Sequence, residues 1–154
     1  MLLLPLLLLF LPFTLALPTE APAPCPTPPT QQVHLIFHAA PVQYEMTIPA
    51  DGKFHATPNN GLNVNLIDAP DFNIDQCEFH TKTQATFVWQ TTPSGVGDWR
   101  ISQYAVGPPQ IITGVTCRGT CLSVYSTCFE NGTYLGGCCN GYCAANKCRP
   151  YRNF

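Results

Sequence analysis

The chain has 154 residues, of which 10% are charged, and its formal net charge is -2 at pH 7. So few charges and no basic excess exclude a typical nucleic-acid-binding protein, and the length suits one modest domain with a small additional module. The charge is uneven, because residues 33–116 contain seven acidic and three basic side chains, whereas residues 117–154 contain one acidic and four basic. We therefore expect a basic C-terminal segment on an acidic body.

Residues 1–16 form an apolar run, MLLLPLLLLFLPFTLA, that ends in small residues. The run is shorter than the ~20 residues of a membrane span, and its two prolines disfavour a buried helix. It predicts a secretory signal peptide cleaved after Ala16, although the usual basic start is missing. No second apolar run of spanning length follows, so we expect a secreted, extracellular protein without a membrane span and with oxidised cysteines.

Residues 17–32 form a proline-rich linker, in which residues 18–30 contain six prolines. This density excludes helix and central strand and favours extended polyproline II. Cys25 lies within the linker.

Residues 33–117 predict a β-rich body. Apolar and polar side chains alternate along residues 33–39 and 44–48, and the Ala40-Pro41 break between them suits a hairpin. We expect further strands at residues 62–66, 77–80, 86–90, 99–106 and 111–117, the last after a break at residues 107–109. Short strands at this spacing predict an all-β fold, a small β-sandwich or barrel-like body.

Seven of the nine cysteines lie in residues 117–148, and from Cys121 their spacing is C-x6-C-x9-CC-x3-C-x4-C. Six cysteines allow fifteen pairings, among which spacing does not choose. A segment of ~30 residues buries too little apolar surface to fold without disulfides or metals. The segment has no C-x2-C pair and no histidine, so we favour disulfides over a zinc site.

The order single, single, adjacent pair, single, single resembles the inhibitor cystine knot, or knottin, of many cone-snail and spider toxins. The segment CCNGYCAANKC, residues 138–148, carries most of the likeness. The resemblance implies that residues 118–154 are a knottin module with a basic tail. It also implies three bridges, which are Cys121–Cys139, Cys128–Cys143 and Cys138–Cys148. It does not imply a target, because one knot carries many unrelated activities.

The body is similar to a loose group of small secreted fungal proteins, many of them predicted effectors. The likeness lies in residues 37–54, 59–70, 76–81 and 106–110. It implies an effector-like fungal protein, and in that group the cysteines that correspond to Cys77 and Cys117 pair. The knot that follows Cys117 departs from the group.

Catalytic and metal-binding patterns are weak in this sequence. No serine lies in a G-x-S-x-G context and the cysteines are better used as bridges, so we expect no enzyme, no catalytic residue and no cofactor. The histidines, at positions 34, 38, 55 and 80, suit exposed sheet positions better than a copper or zinc site. The aspartates at 68, 71 and 75 suit turns better than calcium binding.

The candidate binding residues are aromatic and basic side chains near the end of the chain, namely Tyr134, Tyr142, Lys147, Arg149 and Arg152, with Phe129 and Tyr151 beside them. Aromatic and arginine side chains are the usual interface anchors. In a segment with almost no core, however, such side chains are exposed whatever they do. Asn131-Gly132-Thr133 is an N-glycosylation sequon in the longest loop of the predicted knot.

These features together predict a secreted, disulfide-stapled binding protein, effector-like or toxin-like, that recognises an extracellular protein or cell-surface target through its knottin. One alternative is a protease inhibitor that presents Arg118 or Lys147. A second is a carbohydrate- or chitin-binding module that uses Tyr134 and Tyr142, with a glycan as its partner. A third is a released antimicrobial or channel-blocking peptide, although no dibasic site precedes the knot.

An odd number of cysteines leaves one thiol outside any set of four bridges. We predict that Cys77 pairs with Cys117 and that Cys25 is free or joins two chains in a disulfide-linked dimer. In the rival arrangement Cys25 bonds one of those two sulfurs. Peptide mapping under non-reducing conditions separates the two, and a Cys25–Cys77 or Cys25–Cys117 peptide as the main species would contradict our prediction.

Overall fold

The computed structural model describes residues 30–58, 61–95 and 97–152. The predicted signal peptide, most of the predicted linker and Cys25 lie outside this part of the chain. The all-β prediction is confirmed, since the described elements are strands and one turn of 3-10 helix, Ile74–Gln76. The strands are β1 (Gln32–Ala39), β2 (Val42–Pro49), β3 (His55–Ala56), β4 (Val64–Asp68), β5 (Cys77–Thr81), β6 (Thr86–Pro93), β7 (Trp99–Gln110), β8 (Ile112–Cys117), β9 (Phe129–Glu130), β10 (Thr133–Tyr134), β11 (Gly141–Ala144) and β12 (Lys147–Arg152).

The strands form two main antiparallel sheets. The larger has seven strands in the order β11-β12-β7-β4-β1-β2, with β6 paired to the other edge of β7. The smaller has the order β3-β8-β5, and β9 with β10 forms a separate hairpin. The long strand β7 is central, because β6 runs along one of its edges while β4 and β12 follow each other along the other.

The hydrophobic core lies between the two sheets. Alternation along β1 buries Val33, Leu35 and Phe37 completely, as the sequence pattern predicts. The Phe37 ring stacks on Tyr44 at 4.7 Å and meets Phe79 of the smaller sheet edge-on at 6.3 Å. Burial of each large apolar side chain contributes roughly 1.5–3 kcal/mol, so these rings are a main source of cohesion between the sheets.

The predicted break at residues 107–109 is wrong, because β7 continues through it to Gln110. The pairing of β4 with β7 jumps from Leu66↔Ala105 to Val64↔Gln110, so several β7 residues bulge out of register. Prolines are tolerated in such a bulge because no ladder hydrogen bond is required of them there. The other predicted strands are present with their ends shifted by a few residues, and β1 begins one residue inside the predicted linker.

The described chain is cysteine-rich and contains four disulfides, which are Cys77–Cys117, Cys121–Cys139, Cys128–Cys143 and Cys138–Cys148. These are the four pairs that the two resemblances imply. Cys77 and Cys117 are register partners on β5 and β8 and so staple the smaller sheet. The other three lie in residues 118–152, which we call the cysteine-rich unit. Its own core is small, since Cys128, Cys138 and Cys148 are buried with Leu122 packed against them.

The cysteine-rich unit is continuous with the body through the larger sheet. On β12, Tyr151 pairs with Arg100 and Arg152 pairs with Trp99 at the start of β7. The unit is also tied near the first described residues, where the backbone N–H of Cys121 donates to Gln31 Oε1 at 2.9 Å. Strand β12 therefore extends the sheet that the body begins.

Asn140 joins the unit to the body through four hydrogen bonds of its side chain. Oδ1 accepts from the backbone N–H of Ser102 at 2.7 Å and from Ser102 Oγ at 2.6 Å. Nδ2 donates to the carbonyls of Ala69 at 2.9 Å and Pro70 at 2.6 Å. The residue is buried, so these groups have no replacement partners in solvent if the side chain is removed.

We predict that Asn140→Gly lowers the free energy of unfolding by about 2 kcal/mol or more, because buried groups on Ser102 and Ala69 lose their partner. Asn146→Gly is the matched control, since Asn146 also has a positive φ but is exposed in the β11–β12 turn. Glycine suits both backbones, so the difference isolates the side-chain hydrogen bonds. Guanidinium unfolding with intact disulfides measures it, and equal effects of the two variants would contradict the prediction.

Candidate functional site

Three aromatic side chains from the body and from the cysteine-rich unit are in contact on one face of the larger sheet. The ring centroid of Trp89 on β6 lies 5.8 Å from that of Tyr151 on β12, and Tyr151 lies 6.2 Å from Tyr142 on β11. Trp89 is 42% exposed and Tyr142 is 47% exposed, while Tyr151 is partly buried between them. We call these three residues the aromatic strip.

Strand register places the strip on a single face. Trp89 pairs with Tyr104 along one edge of β7, and Tyr151 pairs with Arg100 along the other edge. Positions 100 and 104 of β7 point to the same side, because side chains alternate along a strand. Trp89 and Tyr151 therefore share this face although they belong to segments far apart in the sequence.

A tight hairpin fixes Tyr142 beside Tyr151. The two-residue turn Ala145-Asn146 has positive φ at both positions, 50° and 63°, as in the turns that join closely paired strands. A Cβ added at Gly141 would overlap the backbone carbonyl oxygen of Arg149 on β12, so only glycine fits at the start of β11. This local geometry sets the register that presents Tyr142 at the edge of the sheet.

Opposite charges flank the strip. Arg149 is the register partner of Tyr142, lies two residues from Tyr151 on the same face, and is exposed. Near Tyr151 is the exposed Asp75, whose Oδ1 accepts a hydrogen bond from the Tyr104 hydroxyl at 2.8 Å. Burial, and secondly the Asp75 carboxylate, raise the pKa of Tyr151, and the same two causes raise the pKa of Tyr104 to about 12. Both phenols therefore keep their protons at any physiological pH.

The structure separates the predicted binding residues. Tyr142 and Arg149 lie at the strip, together with Tyr151. Tyr134 is 59% exposed but lies on the separate β9–β10 hairpin, where it pairs with Phe129.

The two other predicted basic residues have partners within the unit. Lys147 Nζ donates to Thr127 Oγ1 at 2.8 Å. Arg152 Nη2 donates to the Tyr125 hydroxyl at 3.3 Å. Of the predicted aromatic and basic residues, Tyr142, Arg149 and Tyr151 therefore lie together. Trp89 of the body joins them, although the sequence did not indicate it.

A groove lies on the opposite face of the larger sheet. It consists of two adjacent cavities of about 540 and 620 Å³ that share Trp99 and Ile101 in their walls. Residues 121–124 of the cysteine-rich unit close one end, and His38 with Asp68 line the other. Trp99, at 40% exposed, is the aromatic side chain of this second surface.

Each histidine has a partner across a strand or turn. Nε2 of His38 lies 2.8 Å from Asp68 Oδ2, and the other pairs are His34–Glu45, His55–Asp51 and His80–Thr116, each at 3.0 Å. The aspartates of the 68–75 segment also have partners, since Asp71 accepts from the backbone of His34 and Asp75 accepts from Tyr104. These contacts tie the four histidines and these aspartates to neighbouring strands and turns.

One cluster within residues 30–58, 61–95 and 97–152 brings three side chains of metal-ligating type within 4.8 Å of one another. It consists of the sulfurs of Cys128, Cys138 and Cys148, and each of these is already in a disulfide. A disulfide sulfur is not a thiolate and is no ligand for zinc. We therefore assign no metal to this cluster.

The sequon lies in a tight turn at the tip of the β9–β10 hairpin. Asn131 and Gly132 have positive φ, 48° and 81°, and the sequon residues are exposed. Asn-Gly is the preferred pair for such a turn. Asn131 is thus exposed on the β9–β10 hairpin, which carries none of the three residues of the strip.

No protein-family model matches this chain, and no curated protein and no solved structure matches it. Among the described residues, no helix is long and apolar enough to cross a membrane. The geometry of the chain therefore carries the functional argument.

Proposed function

We propose that this chain is a secreted, non-enzymatic binding protein, effector-like or toxin-like and of fungal type, that recognises an extracellular or cell-surface target through the aromatic strip. The observation that carries the proposal is the contact of Trp89, Tyr151 and Tyr142 across body and cysteine-rich unit. Four disulfides are consistent with export to an oxidising compartment. In this proposal the cysteine-rich unit is a knottin whose last hairpin supplies two of the three rings.

Rigidity supports a role in recognition. The strands that carry the strip are paired on registered ladders, and a bridge from Cys148 to Cys138 holds β12 within the unit. Side chains already ordered in the free protein lose little conformational entropy on binding. A small surface of this kind is therefore able to bind without first being organised by its partner.

A protease inhibitor has less support. The backbone of Arg118 is already paired, since its N–H donates to the Gln76 carbonyl at 3.0 Å and it forms an isolated bridge with Asp51. Lys147 is likewise held in the β11–β12 ladder. An inhibitory loop that adds to a protease as a strand needs free backbone groups at its edge, and neither residue offers them.

A released peptide also has less support. Release of the cysteine-rich unit would break the pairing of β12 with β7 and the four hydrogen bonds of Asn140. The strand pairing and the buried hydrogen bonds that hold the unit on the body would then be lost. We propose that the unit acts while attached to the body.

The proposal includes a glycan on Asn131, because the sequon is exposed in a hairpin turn. Expression in a eukaryotic secretory host should give a chain whose mass falls on treatment with an N-glycosidase. Thr133→Ala preserves the Asn-Gly turn and should abolish the shift. An unshifted wild-type chain would contradict this part of the proposal.

We predict that the double variant Trp89→Ala/Tyr142→Ala binds target cells at least about tenfold more weakly than the wild type, because it removes two aromatic anchors. Binding of fluorescently labelled protein to intact plant, insect and bacterial cells is measured by flow cytometry. Tyr134→Ala is the matched control, since Tyr134 is exposed on the same unit but away from the strip. Equal binding by the two variants, or wild-type binding to none of the cell types, would contradict the proposal.

A further inference from the structure

We propose that the ligand of the aromatic strip is a neutral, hydroxyl-rich polysaccharide chain. This inference rests on the proposed function, because it names the partner of the same strip. It differs from the carbohydrate-binding alternative drawn from the sequence, which used Tyr134 and Tyr142, since Tyr134 lies outside the strip, whereas Trp89 and Tyr151 lie within it.

The form of the strip suits a chain of sugar rings. Trp89, Tyr151 and Tyr142 lie on β6, β12 and β11, with Trp89 edge-to-face against Tyr151 at 71° and Tyr142 tilted by 34° to Tyr151. A pyranose ring has an apolar face of C–H groups that packs on an aromatic ring, while its hydroxyls remain at the rim. Rigid aromatic side chains offer large contact area with polar tips, as such a ligand requires. The two exposed rings, Trp89 and Tyr142, each offer a surface on which one sugar unit can stack, and Tyr151 lies between them.

The flanking charges argue for a neutral ligand. Asp75 presents a carboxylate near one part of the strip, Arg149 presents a guanidinium at another, and Arg100, the register partner of Tyr151, adds a second guanidinium on the same face. An anionic chain would meet repulsion from Asp75, and a cationic chain would meet repulsion from Arg149. A hydroxyl both donates and accepts a hydrogen bond, so one polyhydroxyl ligand satisfies both groups. A hydroxyl-rich ligand is therefore suited to groups of both signs, whereas a charged chain of either sign meets repulsion from one of them.

The area of the strip argues against a protein as the main partner. Each aromatic side chain offers ~150–250 Å² when fully buried, and none of the three is more than half exposed. The strip therefore presents on the order of 300 Å² of free aromatic surface. A standard protein interface buries about 800 Å² per partner. Stacking on a narrow row of rings is the better match to this surface.

The test uses insoluble chitin, cellulose and xylan in pull-down assays, and the matching soluble hexasaccharides in fluorescence titrations. A Trp99→Phe background leaves Trp89 as the reporting tryptophan, because the sequence contains two tryptophans. We expect at least one saccharide to bind and to change the Trp89 emission, with little change between low and high salt. In the pull-down, which needs no tryptophan reporter, Trp89→Ala and Tyr142→Ala should each weaken binding about tenfold or more, while Tyr142→Phe retains the stacking ring and binds as wild type.

Two control variants locate the site. Tyr134→Ala and Trp99→Ala remove exposed aromatic rings outside the strip and should leave saccharide affinity within about twofold of wild type. Loss of binding in Trp99→Ala, with the strip variants unaffected, would assign the ligand to the opposite groove and overturn the inference. Disulfide mapping and thermal unfolding of every variant establish that a loss is not due to misfolding.

The remaining outcomes separate this inference from the proposed function. If none of the three polysaccharides binds, the inference is wrong. If cell binding requires the strip but no hexasaccharide competes with it, the partner is a protein, so the inference fails while the proposed function stands. If the wild type binds saccharide but no cell type, the inference stands and the cell-surface part of the proposed function fails.

Discussion

The pairing of β12 with the first residues of β7 is the interaction on which the rest of the account depends. Two register pairs, Tyr151↔Arg100 and Arg152↔Trp99, make the end of the chain part of the main sheet of the body. Asn140 reinforces this pairing with buried hydrogen bonds to Ser102 and to the segment after β4. Separating the buried Asn140 amide from its hydrogen-bond partners would cost free energy. Asn140 therefore stabilises the junction and favours this one arrangement of the unit on the body.

The junction gives the molecule surfaces that neither part has alone. On one face it brings Tyr151 and Tyr142 of the cysteine-rich unit against Trp89 of the body. On the other face it sets the 121–124 loop against Trp99 and forms one end of a groove. In the account proposed above, the three bridges of the unit hold its hairpin so that recognition uses a composite surface rather than an autonomous knot.

Local patterns predict much of this fold, and long-range register explains the rest. The alternation of Val33, Leu35 and Phe37 is enough to predict a strand and its buried face, because side-chain period depends on neighbours in sequence. The alternation around Trp89 predicts a strand as well, but nothing local indicates that β12 will lie near it. The prolines at 108 and 109 mislead because a bulge removes the usual objection to proline in a sheet. The exposure of Tyr142 and Arg149 is predictable from the sequence, whereas their association with Trp89 depends on the pairing of β12 with β7, two segments about fifty residues apart.

The most direct test of the central claim is a nuclear Overhauser experiment on the oxidised protein in solution. The account predicts cross-peaks between the ring protons of Trp89 and Tyr151, and between the side-chain amide of Asn140 and Ser102. It also predicts slow hydrogen exchange at the backbone amides that pair β12 with β7, because paired amides in a sheet are protected. Intact disulfides with none of these cross-peaks and with rapid exchange on β12 would show an independent cysteine-rich unit, and would contradict the account.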